Sequence, residues 1–183
     1  IVEDGKGALW LATYGGLSRF DRGTKTFRFF RKSEGGLADD SLMSIAKEPG
    51  RDVLWLGTRD GGIHRFDIEK ETFQRFPVGT AAGLAARSSC ITVAKDGTVW
   101  AGTFGDGLHR LAGDGKTFER FLDESSPARN NILGIQEDAG GQLWLATNRG
   151  LSRFDPKKRT FRPFDSKDGL LSEFTLGASG TGR

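Results

Sequence analysis

Residues 8–21 read ALWLATYGGLSRFD, and residues 142–155 read QLWLATNRGLSRFD. Two looser versions lie between them, VLWLGTRDGGIHRFD over residues 53–67 and TVWAGTFGDGLHRLA over residues 98–112. The four copies set Trp10, Trp55, Trp100 and Trp144 at intervals of 45, 45 and 44 residues. A second aromatic series, Phe27, Phe73, Phe118 and Phe161, keeps step with the first, and each member is followed three residues later by Phe30, Phe76, Phe121 or Phe164. Two independent series sharing one period of about 40 to 50 residues indicate a repeat architecture. Short strands and glycine turns inside each period indicate the blades of a β-propeller rather than paired helices.

The second copy gives the template for one blade. Strand a is expected over Leu42–Glu48, b over Leu54–Thr58, c over Gly62–Asp67 and d over Thr72–Phe76. Strand b is apolar at consecutive positions, as in Leu9, Trp10, Leu11 and Ala12, which suits a strand covered on both faces by neighbouring sheets. The Arg28, Arg75, Arg120 and Arg162 side chains on strand d suit an outer edge, where charge discourages pairing with foreign strands. The expected blades cover residues 1–41, 42–89, 90–131 and 132–172, with residues 173–183 beginning a further strand or closing the first blade.

Composition supports this reading. The 183 residues include 27 Gly and 14 Phe but only 5 Pro and 1 Met, the balance of an all-β domain with many tight turns. The net charge of +3 is spread along the chain without a nucleic-acid-reading motif, so no nucleic-acid partner is expected. The single cysteine, Cys90, excludes an internal disulfide. It aligns by residue type with Leu42 and Ile132, which makes it a small core residue rather than a nucleophile. No apolar run approaches the length of a membrane span and no signal segment is present. A chain opening at Ile1 within a strand-like run makes those absences uninformative.

Residues that recur in every copy serve the frame, whereas a pocket on an approximate symmetry axis needs residues that differ between copies. The recurrent tryptophans therefore read as core. Arg19, Arg65, Arg110 and Arg153 on strand c, with Asp4, Glu48, Asp96 and Asp138 at the end of strand a, read as structural pairs or as stems lying along aromatic faces. The divergent positions are Tyr14, Arg59, Asp60, Phe104, Asp106, Asn148 and Arg149, all in b–c turns at the end of the blades that also carries the d–a loops. These are the candidate ligand-binding residues, since propellers bind where loops converge on a rigid frame. His64 and His109 share one repeat slot with Ser18 and Ser152, and neither an HExxH motif nor a Cys/His cluster accompanies them. No catalytic residue, metal or cofactor is expected. The run GDGKT at residues 113–117 lacks the first glycine of a phosphate-binding loop and joins two strands, so it reads as a hairpin turn.

The combination D-x-x-G-x-L-W-x-(G/A)-T-x-x-G-G-L-x-R-F-D followed by F-x-x-F resembles the two-component regulator propeller repeat of bacteria. It stands here as EDGKGALWLATYGGLSRFD and EDAGGQLWLATNRGLSRFD. Repeat three departs most, with Leu111-Ala112 in place of Phe-Asp and an a–b turn expected to be about two residues shorter. The resemblance implies a seven-bladed ring, often in tandem, in the extracytoplasmic sensor region of membrane-bound hybrid histidine kinases and some diguanylate cyclases. These four blades would then be part of one ring, and a closed four-bladed ring is the alternative. It further implies a periplasmic location in an inner-membrane receptor, anchored through segments outside this chain. The implied partners are a small-molecule or oligosaccharide ligand and the remaining blades or another copy of the chain. The run DSKDGLLSEFTLGASG at residues 165–180 resembles the sequence around a last blade. A protein-interaction scaffold is the competing reading, and a propeller lyase or hydrolase a third.

Overall fold

Alternating short apolar strands and tight turns leave each repeat no way to bury its aromatic side chains alone, so the repeats stack. The computed structural model describes residues 1–32, 36–76, 87–123 and 131–170. It contains sixteen strands in four separate antiparallel sheets. Blade 1 comprises β1 (Val2–Glu3), β2 (Leu9–Thr13), β3 (Gly16–Asp21) and β4 (Thr26–Phe30). Blade 2 comprises β5 (Leu42–Lys47), β6 (Val53–Thr58), β7 (Ile63–Asp67) and β8 (Thr72–Phe76). Blade 3 comprises β9 (Ser88–Val93), β10 (Val99–Thr103), β11 (Leu108–Leu111) and β12 (Phe118–Phe121). Blade 4 comprises β13 (Ile132–Glu137), β14 (Leu143–Thr147), β15 (Gly150–Asp155) and β16 (Thr160–Phe164). Every sheet follows sequence order, the up-and-down meander of a propeller blade. The further or closing strand expected within residues 173–183 lies outside the described residues.

Three apolar clusters join the blades in succession. Trp10, Leu17 and Phe30 on the front of blade 1 meet Leu54, Leu56 and Phe66 on the back of blade 2. Trp55, Ile63 and Phe76 meet Val99 and Ala101 in the same way, and Trp100, Leu108 and Phe121 meet Leu143, Leu145 and Phe154. Trp10 and Phe66 approach to 5.4 Å between ring centroids in a tilted contact, and Trp100 and Phe154 to 5.7 Å edge-to-face, arrangements of the kind aromatic rings prefer. At the middle interface the phenylalanine is replaced by Leu111, and Trp55 meets Phe118 at 6.1 Å instead.

None of these clusters joins blade 4 to blade 1, so a closed four-bladed ring has no apolar interface to hold it among the described residues. Phe27, 55 % exposed, and Phe29 lie on blade 1, while the Trp144–Phe164 pair of blade 4 is only half-buried.

Blade 3 corrects one part of the sequence alignment. β9 begins at Ser88, two residues before the expected boundary, and Ser88 pairs with Thr103 as Leu42 pairs with Thr58 and Ile132 with Thr147. Cys90 therefore occupies the slot of Ser44 and Gly134, not that of Leu42 and Ile132. It packs at the edge of the third cluster, and burial pushes its thiol up to about 12, away from nucleophilic use. The a–b turn is not shortened either, because Ala94 N–H bonds Thr98 O just as Asp4 N–H bonds Ala8 O.

Candidate functional site

The two ends of the blades differ in how they are built. At the end carrying the b–c turns, a threonine hydroxyl closes each turn onto a glycine carbonyl: Thr13 onto Gly16 (2.8 Å), Thr58 onto Gly62 (2.7 Å), Thr103 onto Gly107 (2.9 Å) and Thr147 onto Gly150 (2.8 Å). Gly16 has φ 107°, and a Cβ there would run into the Phe30 carbonyl, so the turn requires glycine. Each d–a connection is tied to a b–c turn by the backbone, through Gly16 N–H to Asp40 O, Arg59 N–H to Ser41 O, Phe104 N–H to Arg87 O and Asn148 N–H to Asn131 O. The recurring threonine was not singled out by the sequence reading, although its repetition one residue before the divergent positions is the signal.

On this frame Tyr14 projects into solvent, 74 % exposed. Arg59 and Asp60 are exposed and 3.8 Å apart, and Asp60 N–H donates to Asp39. Phe104 is half-buried beneath the Arg87 guanidinium, 5.6 Å from its ring centroid. Arg149 is exposed, and Asn148 is half-buried with its Oδ1 lacking a partner among the described residues. These candidates share one end of the arc but belong to four blades.

Asp106 departs from them, being 2 % exposed and turned into its own blade. Arg120 donates to its Oδ1 at 2.7 Å, and its Oδ2 lies 3.2 Å from His109 Nε2. Burial raises its pKa, but the His109 and Arg120 contacts outweigh this and hold the carboxyl below its ordinary value. Strand pairing makes this possible, because Arg120 stands opposite His109 and Arg75 opposite His64, whereas blades 1 and 4 place Phe29 opposite Ser18 and Pro163 opposite Ser152. In blade 2 Arg75 donates to Gly61 O at 2.8 Å, and His64 Nε2 accepts from Ala38 N–H at 3.1 Å. Burial, aided by Arg75, lowers the His64 pKa to about 4, so the ring is neutral near pH 7. Both histidines hold turns in place.

At the opposite end, an acidic side chain closing strand a receives the indole N–H of strand b. Trp10 donates to Asp4 (2.8 Å), Trp55 to Glu48 (3.3 Å) and Trp144 to Asp138 (3.0 Å). Asp4 also accepts from the amides of Lys6 and Ala8, at 2.9 and 3.0 Å. Burial raises the Asp4 pKa, but the Trp10 bond, these amides and Arg19 together hold it below its ordinary value. Arg19, Arg110 and Arg153 lie 5.9, 5.7 and 5.8 Å from the centroids of Trp10, Trp100 and Trp144, a stem-and-face arrangement of the kind anticipated for them.

Among the described residues, two clefts open between successive blades at this end. One, of about 520 Å³, is lined by Asp4, Lys6, Trp10 and Arg19 of blade 1 with Ile68, Glu69 and Glu71 of blade 2. The other, of about 500 Å³, lies between blades 3 and 4 and includes Ala94, Lys95, Asp96, Thr98, Trp100, Arg110, Glu137 and Lys157 in its lining. Among the described residues no group of three or more His, Cys, Asp or Glu side chains could hold a metal ion, and no helix is long and apolar enough to cross a membrane.

The fold is shared with known β-propellers. The extracellular domain of BT4673 from B. thetaiotaomicron, assigned to a one-component system, superposes with a TM-score of 0.72 over 95 % of this chain at 22 % identity. Virginiamycin B lyase from Staphylococcus aureus superposes with a TM-score of 0.71 over 90 % of this chain at 15 % identity. The chain spans 24 % of the first protein's length and 54 % of the second's. No family model matches the sequence, and no curated protein does.

Proposed function

We propose that this chain is a stretch of an extracytoplasmic ligand-sensing propeller in a bacterial two-component receptor, with a small molecule or oligosaccharide recognised at the b–c turns. The observation that carries the reading is the contrast at that end: threonine-closed turns of one design hold side chains of four different kinds. A rigid frame with chemically distinct tips can discriminate one ligand from another. The fold held in common with the BT4673 extracellular domain supports the sensory setting by analogy.

In this reading Tyr14 offers an aromatic face with a hydroxyl, Arg59 and Asp60 a paired donor and acceptor, Phe104 with Arg87 a second ring, and Asn148 and Arg149 hydrogen-bonding groups. Asp106 keeps the third turn in shape. Binding would favour one arrangement of the receptor pair by its differential affinity for that arrangement. Further blades of the same repeat would cover the back of blade 1 and the front of blade 4.

Virginiamycin B lyase shares the fold, and a catalytically inactive form of it carries Ala in place of a His. This chain has two histidines, both buried and both engaged with its own backbone, which favours a non-enzymatic role. A protein-docking surface is the second reading, favoured by the exposure of Tyr14.

The test is calorimetry of the receptor ectodomain against an oligosaccharide library. Tyr14→Ala, Arg59→Ala and Arg149→Ala should each weaken binding about tenfold while leaving the thermal midpoint in place. Ligand binding indifferent to all three would remove the loops from the mechanism.

A further inference from the structure

The cleft between blades 3 and 4 differs from its counterpart between blades 1 and 2 in two linked ways. The first concerns a donor. Three of the four tryptophans give their indole N–H to an acidic residue at the end of strand a, but the backbone slot of Asp4 is filled in blade 3 by Ala94. Asp96, two residues later, turns its carboxylate to Thr98 N–H at 2.8 Å instead. Trp100 is 3 % exposed and lines the cleft beside Ala94 and Thr98, and among the described residues its N–H has no acceptor. The nitrogen is not one of the unpartnered polar atoms sealed in the core, so it opens on the cleft.

The second difference is charge. Asp4, Glu69 and Glu71 outnumber Lys6 and Arg19 in the first cleft, whereas Lys95, Arg110 and Lys157 outnumber Asp96 and Glu137 in the second. Some of these groups are engaged: Lys95 Nζ donates to Asp138 O, Glu137 accepts from Lys95 N–H, and Arg110 bonds Glu119 at 2.6 Å. Lys157 is exposed at the rim, with no side-chain bond among the described residues.

We infer that the blade 3–blade 4 cleft binds the carboxylate of a small organic acid or acidic sugar, which accepts the Trp100 indole N–H where the sibling blades supply an acidic side chain of their own. The geometry needed for an acceptor already exists three times in the molecule. An unpaired indole N–H near the unengaged Lys157 ammonium favours an anionic acceptor over a neutral one, because hydrogen bonds to charged groups are the stronger kind. Lys157 supplies screened attraction from the rim. The site lies at the opposite end of the blades from the loop candidates, so it stands or falls independently of them.

These 183 residues carry four indole N–H groups, one per blade, each visible as a separate signal in a ¹H–¹⁵N spectrum. Trp100→Phe assigns its signal by deletion. At constant ionic strength, acetate and glucuronate should move the Trp100 signal saturably and leave the other three in place, while glucose should not move it. Glucuronate binding more tightly than acetate identifies an acidic sugar, and equal binding identifies the carboxylate alone. Ala94→Asp should weaken binding at least tenfold by supplying the carboxylate internally. Lys157→Ala, a surface change that leaves the fold intact, should weaken it about two- to fivefold. A Trp100 signal that never saturates, a shift shared by all four indoles, an equal response to glucose, or an unchanged response in the Ala94→Asp protein would overturn the assignment.

Discussion

The cleft between blades 1 and 2 and the cleft between blades 3 and 4 are built on the same fold of the backbone, yet one is self-sufficient and the other is not. In the first, Asp4 satisfies an indole and two amides at once. In the second, Ala94 holds the same backbone position and the indole is left over. Repetition thus makes a single substitution conspicuous: three copies state what the frame needs, and the fourth shows what has been released for other use.

The comparison breaks if Asp4 proves dispensable. Asp4→Ala should cost about 2–3 kcal/mol, because it strands the buried Trp10 N–H together with two turn amides. Urea unfolding would detect this as a lower midpoint with an unchanged slope. A loss under about 0.5 kcal/mol, the scale of ordinary surface changes, would mean the acidic slot is not structural in the sibling blades either.

Acid sharpens the comparison, provided two limbs are kept apart. The His64 pKa falls from 6.5 in the unfolded chain to about 4 in the folded one. Between those values the unfolded chain binds the proton and the folded chain does not, so stability should decline as pH drops from about 6.5 to about 4, by roughly 3 kcal/mol. Asp4 acts in a lower window, since its depressed folded pKa gives stability that is complete above its ordinary value of 3.8 and is lost as pH falls through the folded value. A His64→Gln protein should lose the upper limb and keep the lower one. Denaturation midpoints at pH 7, 5 and 3 separate them.

A smaller effect is expected from completing the odd cleft. Ala94→Asp should add up to about 1 kcal/mol, the net worth of one further hydrogen bond, measured by thermal unfolding near pH 7. Destabilisation would mean that Asp96 already occupies the available room. The smallest effect belongs to the loop end, where Tyr14→Ala should change stability by less than about 0.5 kcal/mol, as expected for an exposed side chain free of core contacts.

Much of this architecture was legible in advance. The template placed strands over Leu42–Glu48, Leu54–Thr58, Gly62–Asp67 and Thr72–Phe76, and the observed ones span Leu42–Lys47, Val53–Thr58, Ile63–Asp67 and Thr72–Phe76. Two aromatic series in step leave little freedom, since each tryptophan must face the next blade. What the sequence concealed is the register of blade 3. Asp96 resembles Asp4 in kind, and Cys90 falls near Leu42 in count, but position in a sheet is decided by backbone pairing. Ala94 and Ser88 take those places.

The exposure of the candidate turn positions was legible to a similar depth. Exposure of Tyr14, Arg59, Asp60 and Arg149 follows from their place at turn tips just before glycines. The inward turn of Asp106 does not, because Arg120 and His109 reach it only once the blade has formed. The interblade clefts were equally hidden, since no single repeat contains both walls.

The two sides of a blade are not alike. One presents a tryptophan, the other two leucines and a phenylalanine at the outer junctions and Val99 with Ala101 at the middle one, and each of these three junctions joins unlike sides. Stacking therefore has a direction, like bricks with a tongue on one edge and a groove on the other. Gene duplication can lengthen such a stack without inventing a new surface, and two stacks meeting tongue to tongue would find no fit.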